Sequence, residues 1–110
     1  MRESTIEAYL RDRVKELGGK AYKFVSPGND GVPDRLVCLP GGRVVFVELK
    51  APGKTPTRLQ LLQHAELGKR GFDVFVIDSK QGVDDFILRQ GVEGLCDANT
   101  LKRDWGPAPK

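Results

Sequence analysis

An α/β fold, in which a mixed sheet is covered by flanking helices, is what three features of the sequence predict. Two short apolar runs, Arg35 to Leu39 and Arg43 to Leu49, flank Pro40-Gly41-Gly42. These loop residues supply a fixed φ and a free positive φ at a tight reversal, so the pair reads as a β-hairpin. Upstream, Ile6, Leu10, Val14 and Leu17 recur at helical spacing. Downstream, residues 43–77 read strand, helix, strand, a βαβ unit whose outer strands lie parallel through a right-handed crossover. An antiparallel hairpin and a parallel partner in one sheet make that sheet mixed.

The elements follow in order. Ser4 to Leu17 forms an amphipathic helix stopped by Gly18-Gly19. Glu7 falls at the edge of its apolar stripe, and Ser4-x-x-Glu7 has the spacing of a capping box. Ala21 to Val25 is a strand, and the turn-rich Ser26-Pro27-Gly28-Asn29-Asp30-Gly31 delivers the chain to Pro33, which biases Val32 to extended backbone. After the hairpin and the loop Ala51 to Pro56, a helix runs from about Arg58 to Arg70. Thr57 is its N-cap, Thr57-x-x-Gln60 is again a capping-box spacing, and Gln60 and His64 share a face. A lone surface histidine is usually uninvolved in chemistry, and the place of His64 one turn below Gln60 leaves a phosphate contact open to it. Asp73 to Ile77 reads as a buried strand, and Ser79 to Gln90 as a closing helix carrying Val83, Phe86 and Ile87 inward. Residues 1–90 make one domain. Residues 91–110 show no sustained period and form a tail, irregular or docked through Leu95, Leu101 and Trp105 on this subunit or a second one.

Composition narrows the class. A chain of 110 residues, 39% hydrophobic and 30% charged, holds one core and is not disordered. No apolar run approaches the roughly 20 residues of a membrane span, and the N-terminus lacks the apolar core of a signal peptide, so the expected location is the cytoplasm. Cys38 and Cys96, with a single histidine, support neither a thiolate zinc site nor a disulfide framework, and Cys38 should pack as a small apolar residue. A net charge of +3 permits a polyanionic partner.

Chemistry concentrates at the open end of the hairpin. A three-residue loop sets Leu39 opposite Arg43, Leu36 opposite Phe46 and Asp34 opposite Glu48. Opposed residues share a face with Cβ atoms about 4.5–5.5 Å apart, and Lys50 points to the same side. Facing carboxylates destabilise a sheet unless a cation compensates, and Mg²⁺ takes one or two carboxylates and completes its octahedron with water and phosphate oxygens. A lysine beside such a site can orient the attacking water or stabilise charge growing on a phosphate. The sum is metal-dependent phosphodiester hydrolysis. The plainer alternative is a solvated strand end bearing a weak surface ion pair.

Glu7, G-V-P-D at 31 to 34, V-E-L-K at 47 to 50 and T-x-x-Q at 57 to 60 together resemble the VRR-NUC domains of the PD-(D/E)XK nuclease superfamily. The resemblance covers about residues 3–87, and the short chain is similar to the stand-alone phage and prophage members. It implies a restriction-endonuclease-like fold and a Mg²⁺- or Mn²⁺-dependent DNA endonuclease that leaves a 5′-phosphate and a 3′-hydroxyl. It implies that Asp34 and Glu48 are metal ligands with the Leu49 carbonyl as a third, that Lys50 is catalytic, that Glu7 reaches the metal directly or through water, and that Gln60 serves the site. Lys23, Lys54 and Arg58 would contact the DNA backbone. Similarity to the stand-alone members implies a homodimer acting on branched DNA such as Holliday junctions in repair, within a bacterial or phage-infected cell. The alternatives are a nuclease of flaps, ends or other DNA structures, and a DNA-binding module in which the carboxylates are structural.

Overall fold

The structure, a computed structural model, describes residues 1–91; the expectations placed on Leu95, Cys96, Leu101, Trp105 and the rest of the tail lie outside the described residues. The elements are α1 (Glu3–Glu16), β1 (Lys20–Lys23), β2 (Arg35–Leu39), β3 (Arg43–Leu49), α2 (Arg58–Lys69), β4 (Val74–Ile77) and α3 (residues 80–91). One four-stranded sheet has the order β1-β2-β3-β4, antiparallel at the first two junctions and parallel at the third. The expected mixed sheet with the hairpin strands at its centre is therefore present. Gly41 and Gly42, at φ of 85° and 79°, turn the hairpin and fix its register, with Leu39 opposite Arg43 and Leu36 opposite Phe46.

The two faces of the sheet differ in depth. Ile6, Leu10 and Val14 of α1 and Val83, Phe86 and Ile87 of α3 pack on Val37, Val45, Val47, Leu49 and Ile77, the odd-numbered residues of the strands. Burying apolar side chains of this size contributes about 1.5–3 kcal/mol each, so this layer holds the fold. The opposite face is thinner. Phe24, Phe46 and Phe72 stack there with centroids 5.4 and 5.6 Å apart, and α2 lies over it without burying a single residue.

Three local expectations are corrected. The strand read as buried from Asp73 to Ile77 is Val74–Ile77, at the edge of the sheet, with only Ile77 buried and Val76 exposed. α1 begins at Glu3 with Arg2 as its N-cap and no side-chain cap, so Ser4 and Glu7 form no capping box. The stripe Ile6, Leu10, Val14 extends naturally to position 3, which pulls the first turn earlier than Ser4. β1 ends at Lys23 rather than Val25, because its partner β2 starts only at Arg35, opposite Lys23. The Thr57 capping box forms as expected, with Gln60 closing both bonds. Cys38 is half-buried. Among the described residues, no helix is long and apolar enough to cross a membrane.

Candidate active site

The paired register of β2 and β3 ends at Arg35 opposite Val47, and one further step sets Asp34 opposite Glu48, as the hairpin loop requires. Asp34 lies just ahead of β2, and its Oδ2 accepts the Leu49 N–H at 2.8 Å. That bond has a covalent origin. The N–H groups of Phe46 and Lys50 donate to β4, so strand alternation turns the N–H and carbonyl of Leu49 toward the β2 side. The residue opposite Leu49 there is Pro33, which has no N–H. Proline thus ends the ladder, the Asp34 side chain takes over the Leu49 N–H, and the Leu49 carbonyl is left without its ladder donor. The sequence G-V-P-D builds one carboxylate and one free carbonyl side by side.

Glu48 is the most unusual residue in the site. It is 1% exposed, one residue from the end of the inner strand β3. Burial above all, then repulsion from Asp34 and a hydrogen bond with it, push its carboxyl up to about 8, while Lys50 pulls the other way. The Lys50 Nζ stands 4.0 Å from Glu48 Oε2, beyond hydrogen-bond reach. Gln60 Nε2 donates to the same oxygen at 3.1 Å. The amide is held that way round because its Oε1 accepts the Thr57 N–H at 2.8 Å, so the helix cap presents the donor end of Gln60 to Glu48. The other carboxylate oxygen lies 3.3 Å from His64 Nε2.

His64 is thereby corrected from a surface residue to a site residue. Its side chain is 11% exposed, and burial, with Lys50 nearby, lowers its pKa. Both members of the Glu48–His64 contact are thus displaced toward their neutral forms. The i, i+4 spacing of Gln60 and His64 was the legible signal, and what sequence alone did not show is that α2 aims that face at Glu48.

The structure pairs Glu7 with an arginine. Glu7 accepts a hydrogen bond from Arg35 Nη2, while Arg35 Nη1 donates to the Ala21 carbonyl at 3.2 Å, so Arg35 ties α1 to the sheet on the core face. Glu3, one turn earlier, is the helix acid whose charge reaches Glu48 and adds to its raised pKa. Nothing in the sequence had singled it out. Lys23, Lys54 and Arg58 are all exposed, on β1, on the loop after β3 and at the first position of α2.

The loop before Asp34 is seated on α2. Gly31 has φ of 93°, and a Cβ there would stand 2.8 Å from the Leu59 carbonyl oxygen, so only glycine lets this loop approach the helix start. The contact brings the N-terminus of α2, with Gln60, to the carboxylates.

A divalent cation suits this donor set. Two adjacent carboxylates, one driven toward its protonated form first by burial and then by the other, are relieved by a shared positive charge, and the Leu49 carbonyl, which has no ladder donor at Pro33, is a third oxygen. Among the described residues, no three His, Cys, Asp or Glu side chains gather into a complete ligand set.

No family model matches the sequence. The chain is 56% identical over 80 residues to "Putative nuclease p44" of Acyrthosiphon pisum secondary endosymbiont phage 1, a match spanning 73% of this chain and 86% of that protein. A solved structure described as "VRR_NUC domain" is similar at a TM-score of 0.73 and 40% identity, covering 77% of this chain and 92% of the other.

Proposed function

Given that the chain belongs to the VRR-NUC nuclease family, we propose that it is a Mg²⁺- or Mn²⁺-dependent DNA endonuclease that leaves 5′-phosphate and 3′-hydroxyl ends, acting on branched DNA such as Holliday junctions. The observation that carries this reading is the buried Glu48 opposed by Asp34 beside a carbonyl without a donor.

Asp34, Glu48 and the Leu49 carbonyl would hold the ion. When bound, it would polarise the scissile phosphodiester and lower the pKa of a coordinated water. Lys50, 15% exposed and not hydrogen-bonded to Glu48, is placed to orient that water or to neutralise charge growing on the phosphate. Gln60 fixes the rotamer of Glu48, and His64 receives or returns its proton. In this assignment Glu3 serves as the helix acid near the ion, and Glu7 contributes by anchoring α1 through Arg35. The N-terminal end of α2, with Arg58 and Lys54, favours a phosphate. Lys23 adds a backbone contact from the edge strand.

A second copy of the chain would cover α2. Leu59, Leu61 and Leu62 are 48%, 54% and 53% exposed, and Val76 of the edge strand β4 is 46% exposed, so this side leaves apolar surface in water. A dimer through α2 would present two sites to a symmetric junction. Light scattering should give twice the chain mass, and the Leu61→Glu, Leu62→Glu double variant should give the single mass.

Purified protein, assayed on junction, flap and linear duplex with Mg²⁺, Mn²⁺ or EDTA, tests the activity. Asp34→Ala or Lys50→Ala should abolish cleavage while the fold and most DNA affinity survive. Wild-type-like cleavage by either variant would overturn the assignment. Metal-independent binding without cleavage of any of the three DNAs would establish the binding module in its place.

A further inference from the structure

A groove beside α1 carries positive charge that the site above does not use. It lies between α1 and the outer edge of β1, has a volume of about 420 Å³, and is lined by Arg11, Asp12, Lys15, Gly19, Lys20 and Ala21. Arg11, Lys15 and Lys20 are exposed, and no described carboxylate makes an ion pair with any of them. The ammonium of Lys20 rests 4.8 Å from the centroid of the Tyr22 ring. Lys20 and Tyr22 point to the sheet face opposite Ala21 and α1, so the charge facing the groove is that of Arg11 and Lys15 against Asp12, a net +1. β1 ends the sheet, so nothing of this subunit's sheet closes the groove on that side.

The orientation of α1 sets its distance from the carboxylates. Glu7 binds Arg35, the neighbour of Asp34, so the helix starts at the site end of the hairpin. It finishes at the turn end, where the Cβ positions of Gly18 and Gly19 abut Pro40 and the Cys38 carbonyl. At 1.5 Å per residue, Lys15 lies about 18 Å along α1 from Glu3, which matches about five steps of 3.4 Å along one DNA strand. Lys23, opposite Arg35, lies at the site end of the same exposed edge.

We infer that this groove is a second phosphate station, which takes the backbone of a duplex arm about five base pairs from the phosphate held at Asp34 and Glu48. The inference rests on the reading that the substrate is DNA and deepens it, since it makes arm length a determinant of binding. Phosphate neutralisation by Arg11 and Lys15 supplies affinity without sequence preference.

The test measures binding in EDTA, where no cleavage occurs, with duplex arms of four and of twelve base pairs. Wild-type protein should bind the longer arm at least about tenfold tighter at 50 mM salt, with a salt slope steeper by about two, the value expected for two added phosphate contacts. In the Arg11→Glu, Lys15→Glu double variant that length preference and the extra slope should vanish. Asp12→Asn, which removes the groove's acid, should increase the length preference several-fold and serves if the double variant does not fold. An unchanged length preference in the folded double variant, or in Asp12→Asn, would overturn the groove while leaving the nuclease reading intact. Absence of any DNA binding by the wild type would overturn both.

Discussion

Replacing Glu48 by glutamine should change the pH dependence of stability by an amount that the site itself sets. In the unfolded chain this carboxyl titrates near 4.5, and in the folded, ion-free protein near 8. The folded state therefore holds the proton more tightly. Stability from this group is fully present below about pH 4.5, is lost as pH rises, and levels off above about pH 8. At 1.36 kcal/mol per pH unit the full span is about 5 kcal/mol, a large share of the 5–15 kcal/mol typical of a domain. Glutamine cannot titrate but can keep the Gln60 and His64 contacts. The stability of Glu48→Gln relative to wild type should then rise between pH 4.5 and 8 by as much as about 5 kcal/mol. Urea unfolding in EDTA at half-unit pH steps measures it. A difference that stays flat within about 1 kcal/mol over that range would refute the claim that burial and Asp34 hold Glu48 protonated. In wild type, Mg²⁺ affinity should rise with pH over the same window, because the ion competes with that proton.

Three further outcomes follow from the same geometry. Pro33→Ala supplies an N–H opposite Leu49, and the new ladder bond, worth about 1 kcal/mol, should weaken Mg²⁺ binding by about fivefold in calorimetry without unfolding the protein. Gly31→Ala places a Cβ against the Leu59 carbonyl in a left-handed backbone, which should lower stability by about 2 kcal/mol, read as a fall in melting temperature. Gln60→Ala removes both a cap bond and a partner of Glu48, so the Mg²⁺ concentration for half-maximal cleavage should rise several-fold while α2 loses about 1 kcal/mol.

Much of this arrangement was legible because it rests on covalent or periodic constraints. Pro40-Gly41-Gly42 fixed the hairpin register, and register fixed Asp34 opposite Glu48, since the side-chain period of a strand leaves one choice. The βαβ spacing gave the parallel fourth strand. Where reading failed, the deciding interaction was between distant segments. Glu7 matched a capping pattern, but a buried arginine 28 positions away competes for its carboxylate, and a charge-assisted bond in a low-dielectric setting outweighs a solvated cap. His64 read as solvent-exposed because one histidine on a polar helix face carries no sign of what that face meets. The charge of Glu3, the least of the influences on Glu48, was not legible because helix ends are the least determined part of a periodic pattern.

Helix α2 buries none of its residues, yet it carries both side chains that grip the oxygens of Glu48. Its hold on the sheet should therefore be the weakest of the major elements, and its amides should exchange with solvent well before those of β3. Gln60 and His64 can then withdraw and return while the apolar layer under α1 stays closed. Exchanging a proton for a metal ion at Glu48 becomes a local event whose rate is set by one loosely seated helix, not by the stability of the domain.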